Sequence, residues 1–233
     1  VTITCRIQTV LSAAALGLTL LLGAGCASVS VKESSWVMEP PRLPSRIYVA
    51  PFTIRDDGMR VDRQGLDLYE FRQQFAQDFA VALAERLNKN VAPAQPGPPP
   101  PSPAPGTWVI TGEFVRMNQG SRALRGLVGM GFGGTKMETI TRIWQIGPGG
   151  QPVIIGGIIT IGGSGAAPGA IPSGPYTGGP TLVLTASSTG LSFDAKRSAR
   201  MITATISEKL ASMGYPLPTR PMRPKRLGSV PIF

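Results

Sequence analysis

Gly129, Gly131 and Gly134 stand at the spacing G-x-G-x-x-G. In a nucleotide-binding turn that spacing lets the backbone approach a pyrophosphate at a helix N-terminus, but it needs a strand before, a helix after and an acid about 20 positions on. Here the stretch after the glycines reads as a strand, and beyond Glu138 the next acid is Asp194. The phosphate-loop order fails too, because in Gly133-Gly134-Thr135-Lys136 the lysine follows the threonine. Asp56 and Asp57 are adjacent acids that could hold a cation, but their spacing is not that of a calcium loop and no third ligand is evident. With Gly58 after them they read as a solvated turn.

The residue types exclude more than the motifs include. The 233 residues contain no histidine and two cysteines, Cys5 and Cys26. Without imidazole there is no Ser-His or Cys-His nucleophile pair, and zinc sites of the usual kind are lost as well. A Ser-x-x-Lys pair does not occur, and the carboxylates are scattered. The expectation is a protein that is not an enzyme and carries neither cofactor nor metal.

One cysteine has a setting of its own. Arg6 is the only charge ahead of an apolar run from Val10 to Leu22, which leads into Leu22-Gly23-Ala24-Gly25-Cys26. A basic start, a short apolar core and small residues are the layout of a secretory signal. The run is too short for a comfortable membrane span, which takes about 20 residues. The stretch resembles the bacterial lipobox, with Leu22 one place earlier than the usual leucine. The resemblance implies that Cys26 is acylated and becomes the first mature residue, that residues 1–25 leave as a lipoprotein signal peptide, and that Cys5 leaves with them. A diacylglycerol plus an amide-linked chain supplies the two signals stable anchoring requires. Ala27 stands where aspartate would mark inner-membrane retention, which implies an outer-membrane address facing the periplasm. The formal charge of +10 then points to anionic lipid headgroups, lipopolysaccharide phosphates, cell-wall polymers or acidic proteins rather than nucleic acid. Its one dense cluster is Arg220, Arg223, Lys225 and Arg226.

Residues 26–45, with Pro40, Pro41 and Pro44, read as a lipidated N-terminus and extended tether. A single domain is expected over 46–213, followed by a basic, proline-rich tail over 214–233. Strands are expected over 46–54, 108–117, 136–146 and 153–161, with a short fifth over 182–186. The turn Gly147-Pro148-Gly149-Gly150 joins the third to the fourth. Leu68, Phe71, Phe75, Phe79, Ala82, Leu83 and Leu87 recur at steps of three and four, which predicts an amphipathic helix over 66–87. A second helix runs to Met213, capped by Ser192 or Asp194, with Ala195, Ala199, Ile202, Ile206, Leu210 and Met213 inward. Two loops interrupt the domain: 91–106, which holds eight prolines and no charge, and the Gly/Pro-rich 162–180. The fold class that follows is α+β, a mixed or antiparallel sheet of four to five strands with both amphipathic helices on one face.

Between the second and third strands lies Gly120-Ser-Arg122-Ala-Leu-Arg125-Gly126-Leu-Val-Gly129-Met-Gly131-Phe-Gly133-Gly134. The run G-S-R-A-L-R followed by V-G-x-G-x-G, with Pro44-Ser-Arg46-Ile-Tyr-Val after a lipidated cysteine, resembles an uncharacterised bacterial lipoprotein family known as a domain of unknown function. The strand-then-helix opening is more loosely similar to periplasmic envelope assembly and secretion lipoproteins. Alternating glycines let a backbone cross close to another surface. One reading is a glycine-bent connection that covers the sheet edge. The other is an exposed basic-apolar loop in which Arg122, Arg125, Gly126, Gly129, Gly131, Gly133 and Gly134 meet a membrane or a partner. For the whole chain the expectation is a non-enzymatic envelope lipoprotein acting as an accessory, assembly or scaffold component. The alternative is a periplasmic carrier or sensor that holds an apolar or anionic ligand between sheet and helices.

Overall fold

A computed structural model describes residues 28–40, 42–120, 135–163 and 189–227. The chain order is β1 (Ser28–Trp36), β2 (Ile47–Val49), β3 (Thr53–Ile54), β4 (Met59–Arg60), α1 (Gly65–Asn90), β5 (Ala94–Pro96), β6 (Trp108–Asn118), β7 (Lys136–Ile146), β8 (Pro152–Gly163) and α2 (Thr189–Ser212). Among the described residues the fold is α+β: two helices and one open mixed sheet of eight strands, in the order β1-β8-β7-β6-β2-β5, with β3 and β4 also on β6. The pairs β1–β8, β7–β8 and β6–β7 are antiparallel. Strands β2, β3 and β4 run parallel to β6, and β5 runs parallel to β2.

Eight strands replace the four to five expected, for three local reasons. The stretch 46–54 is not one strand, because Pro51 has no N–H for a ladder. The chain leaves β6 there, rejoins it at Thr53–Ile54, and rejoins it again at Met59–Arg60 after the Asp56-Asp57-Gly58 turn. Within the proline-rich loop, Ala94–Pro96 forms an outer strand on β2, an edge position where proline is tolerated. The third addition comes from the expected tether: Ser28–Trp36 is a nine-residue strand paired along β8, with Val29 and Val31 buried. The β7–β8 hairpin has the expected turn, closed by Gly147 N–H to the Gln151 carbonyl at 2.8 Å. The expected strand at 182–186 lies outside the described residues.

Helix α1 repeats every four residues on its inner side, burying Phe71, Phe75, Phe79, Leu83 and Leu87 with Ala76, Ala80 and Ala84 beside them. Asp67 in its first turn and Lys89 in its last oppose the helix dipole. The phenylalanines meet two from the sheet side. Phe52–Phe79, Phe79–Phe114 and Phe75–Phe114 are edge-to-face pairs at 4.8, 4.9 and 5.2 Å between centroids. Helix α2 packs against α1 and over β1, β7 and β8, so both helices lie on one face. Of the residues expected inward, Ala195, Ala199, Ile202, Ile206 and Leu210 are buried, whereas Met213, one place past the last helical residue Ser212, is only partly buried. Ser192 and Asp194 are not caps. They lie inside the helix and are buried, because Asp194 has partners there. Gly214, in a left-handed conformation (φ 81°), follows the last turn.

The expected tail is docked along its described part. Tyr215 and Leu217 pack on the core, and the chain crosses α2 to reach β1. Val31 N–H donates to the Lys225 carbonyl at 2.7 Å, and Leu227 N–H to the Val31 carbonyl at 2.9 Å.

Candidate functional site

Cys26 and the loop residues Arg122, Arg125, Gly126, Gly129, Gly131, Gly133 and Gly134 lie outside the described residues. The two ends of that glycine segment are described, and they meet. Asn118 and Lys136 are cross-strand partners where β6 and β7 stop. Gln119 N–H donates to the Arg60 carbonyl at 2.9 Å, and Gly120 N–H to Asn118 Oδ1 at 2.8 Å. The segment therefore starts and finishes on one rim of the sheet.

That rim holds a cleft of about 380 Å³ lined by Asp57, Gly58, Arg60, Val115, Arg116, Asn118 and Lys136. Its charges are set by register. Arg60 of β4 is opposite Asn118, and Asn118 is opposite Lys136 of β7, so the three form a row across the sheet. Side chains alternate along a strand, so Arg116 and Asn118 share the face opposite Met117. Met117 and Met137 are buried toward the helices, which leaves Arg60, Arg116 and Lys136 exposed on the other side. The nearby acids are engaged elsewhere. Glu138, across from Arg116, bonds Lys32 at 3.1 Å, Asp57 lies 3.7 Å from Arg55, and Asp56 pairs with Arg72 at 2.5 Å. Among the described residues no ion pair is made by Arg60, Arg116 or Lys136. Sequence reasoning missed this trio because the three are far apart in the chain. The alternation that puts Arg116 beside Asn118 was readable; the parallel docking of β4 was not.

A second polar group is buried between β7, β8 and α2. Thr135 Oγ1 donates to Asp194 Oδ2 at 2.5 Å, and Arg197 reaches Asp194 Oδ1 at 3.2 Å. Beside it Thr139 and Thr160 share a hydrogen bond of 2.7 Å, and Thr160 donates to Ser198 at 3.2 Å. These hydroxyls and the carboxylate satisfy one another, and they fix how α2 sits on the sheet. Among the described residues no group of three or more His, Cys, Asp or Glu side chains comes together, and no helix is long and apolar enough to cross a membrane.

The Arg86 guanidinium on α1 is half-buried, and its pKa falls below the ordinary arginine range, first through loss of water and then through the like charge of Arg200; Glu85 opposes the shift.

A mixed α+β sheet of this kind, with a single helical face, defines a class of small domains without a fixed activity. The chain belongs to the family described as "Domain of unknown function (DUF4410)", whose model matches residues 47–178, more than half of the chain. No curated protein matches it. Among solved structures it is similar to the PelC dodecamer from Paraburkholderia phytofirmans, at 11% identity over 73% of this chain and 95% of that one, TM-score 0.37. A single-residue variant of that dodecamer matches at 9% identity over 59% and 83%, TM-score 0.35. The hypothetical protein CT253 from Chlamydia trachomatis matches at 12% identity over 73% and 95%, TM-score 0.29. Superpositions this loose say nothing of function.

Proposed function

We propose that this chain is a lipid-anchored, non-enzymatic component of a bacterial cell envelope, an accessory, assembly or scaffold protein that works through contacts with other envelope proteins. The observation that carries the reading is the apolar run Val10 to Leu22 ending in Gly23-Ala24-Gly25-Cys26, which resembles a lipobox. Acylated Cys26 holds the chain to the outer membrane on its periplasmic side. Ala27 alone separates Cys26 from the start of β1 at Ser28. An anchor there leaves a span of about 7 Å between lipid and sheet. The domain therefore rests with its β1 edge close to the bilayer rather than on a long tether. The glycine segment with Arg122 and Arg125 is the contact for partners or anionic lipid. A carrier reading draws no support from the space between sheet and helices, which the rings of Phe52, Phe75, Phe79 and Phe114 occupy.

Growth with a labelled fatty acid tests the anchor. Label on the wild-type protein, and its loss with release from the membrane fraction in Cys26→Ser, is the expected result. An unlabelled wild-type chain, or a serine variant that fractionates unchanged, ends the proposal. Crosslinking in native envelopes, compared between wild type and Arg122→Glu/Arg125→Glu, tests the contact loop; an identical set of adducts removes it.

A further inference from the structure

We propose that the cleft at the ends of β4, β6 and β7 is an oxyanion site that takes a phosphate group. It stands on described strands alone and is independent of the lipid anchor. Three cations surround one space: Arg60, Arg116 and Lys136, with the Asn118 side chain between them in register. Adjacent strands are about 4.8 Å apart and alternate residues on one strand about 6.6 Å apart, so the three backbone positions fall within about 10 Å of one another. Side chains of that length converge easily over such a distance.

Three features favour an anion over a merely basic surface. None of the three cations is neutralised by an ion pair among the described residues, although the chain has acids close by. Glu138 is spent on Lys32, and Asp57 is beside Arg55. Asn118 accepts the Gly120 N–H through Oδ1, which leaves its amide NH₂ as a neutral donor facing the same space. The two arginines offer planar forks and the lysine a point charge, the combination suited to tetrahedral oxyanions. At about 380 Å³ the cleft admits a phosphate with the group that bears it. Asp57 lines the cleft as well, and it disfavours a highly charged ligand such as a polyphosphate while leaving room for one phosphoryl group.

A phosphate of this kind belongs to a lipid headgroup or to a free small molecule, and two soluble probes separate the sources. Inorganic phosphate and glycerophosphoglycerol, the diester headgroup of phosphatidylglycerol, are titrated into full-length protein in neutral detergent at constant ionic strength, with ³¹P NMR as readout. Saturable binding of either probe with a Kd of about 1 mM or tighter is expected, weakened at least about tenfold in Arg116→Gln/Lys136→Gln. Preference for the diester assigns the site to a headgroup, and preference for the monoester dianion to a free phosphate. Both substitutions are exposed, so the double variant folds, which its circular dichroism checks; Arg60→Gln is the replacement variant if it does not. Absence of saturable binding by both probes overturns the proposal. So does binding that survives the double variant.

Discussion

Asp194, fully buried within α2, accepts a hydrogen bond from Thr135, the residue just before β7, with 2.5 Å between Oγ1 and Oδ2. One carboxylate thereby ties the last helix to the strand that emerges from the glycine segment. Removing it takes away the acceptor of the Thr135 hydroxyl and leaves Arg197 without its acid. Asp194→Ala is expected to cost about 1–3 kcal/mol, the range for deleting one partner of a buried hydrogen bond, because Arg197 is partly exposed and solvent screens its share. Asp194→Asn keeps an acceptor for Thr135 and loses less. Urea denaturation of the three proteins checks the order, and an alanine variant within about 0.5 kcal/mol of wild type contradicts it.

Gly112 is where β6 passes beneath the aromatic cluster. A Cβ there would lie 2.2 Å from Phe52 Cε2 and 2.6 Å from the Ile140 carbonyl oxygen. The ring can turn aside; the backbone oxygen of β7 cannot. Gly112→Ala is expected to destabilise by about 2–3 kcal/mol through overpacking. Gly149→Ala in the β7–β8 turn meets nothing within 4 Å and serves as the control. Equal melting temperatures for the two variants would refute the packing argument.

How much of this could be read from the chain varied with the physics of each element. Helix α1 and strands β6, β7 and β8 were legible because their apolar periods repeat over whole turns or long ladders. Strand β1 was not, since the prolines at 40, 41 and 44 suggested a tether and its core-facing signal is little more than Val29 and Val31. The docking of 215–227 was hidden for another reason. A proline- and arginine-rich stretch carries no periodicity, and its partners on β1 and α2 are set by tertiary packing. The same holds for the oxyanion cleft, where Arg60, Arg116 and Lys136 meet only through strand order. In the buried seam, Asp194 looked like a helix cap because Asp favours that position. Its contact with Thr135 is a long-range fact.

The Arg86–Arg200 relationship predicts a stabilising substitution. Arg86 has its pKa lowered by burial first and by Arg200 second, so the folded state disfavours its charged form relative to the unfolded chain. The penalty is therefore present at every pH below the folded-state pKa, including neutrality, and fades only as pH rises toward the ordinary arginine range. Arg200→Glu converts repulsion into attraction. Because Arg200 is exposed, solvent screens the gain to a few tenths of a kcal/mol, up to about 1. The increase should be flat between about pH 6 and 9 and shrink in 1 M salt. A loss of stability, or a gain indifferent to salt, would show that burial alone sets the Arg86 shift.

The C-terminal strap supports the last prediction. Tyr215 donates its hydroxyl to the Pro40 carbonyl at 2.8 Å, Thr219 donates to Asn90 at 2.9 Å, and Arg226 pairs with Glu208 and reaches Ser34. Between these points Lys225 N–H lies 3.3 Å from Met201 Sδ, over a turn of α2 that is buried on all sides. An amphipathic helix on a sheet ordinarily leaves one side wet. Residues 201–207 of α2 are all buried. Deleting 215–233 uncovers that side and removes the acceptor of the Val31 N–H. The Val31 amide is then expected to exchange with deuterium at least about tenfold faster, while amides at the centre of β7 stay protected. Tyr215→Phe is the gentler version and should cost about 1 kcal/mol, the net worth of one hydrogen bond. Unchanged exchange at Val31 in the truncated chain, or a phenylalanine variant as stable as wild type, would mean that the strap lies on the domain without holding it.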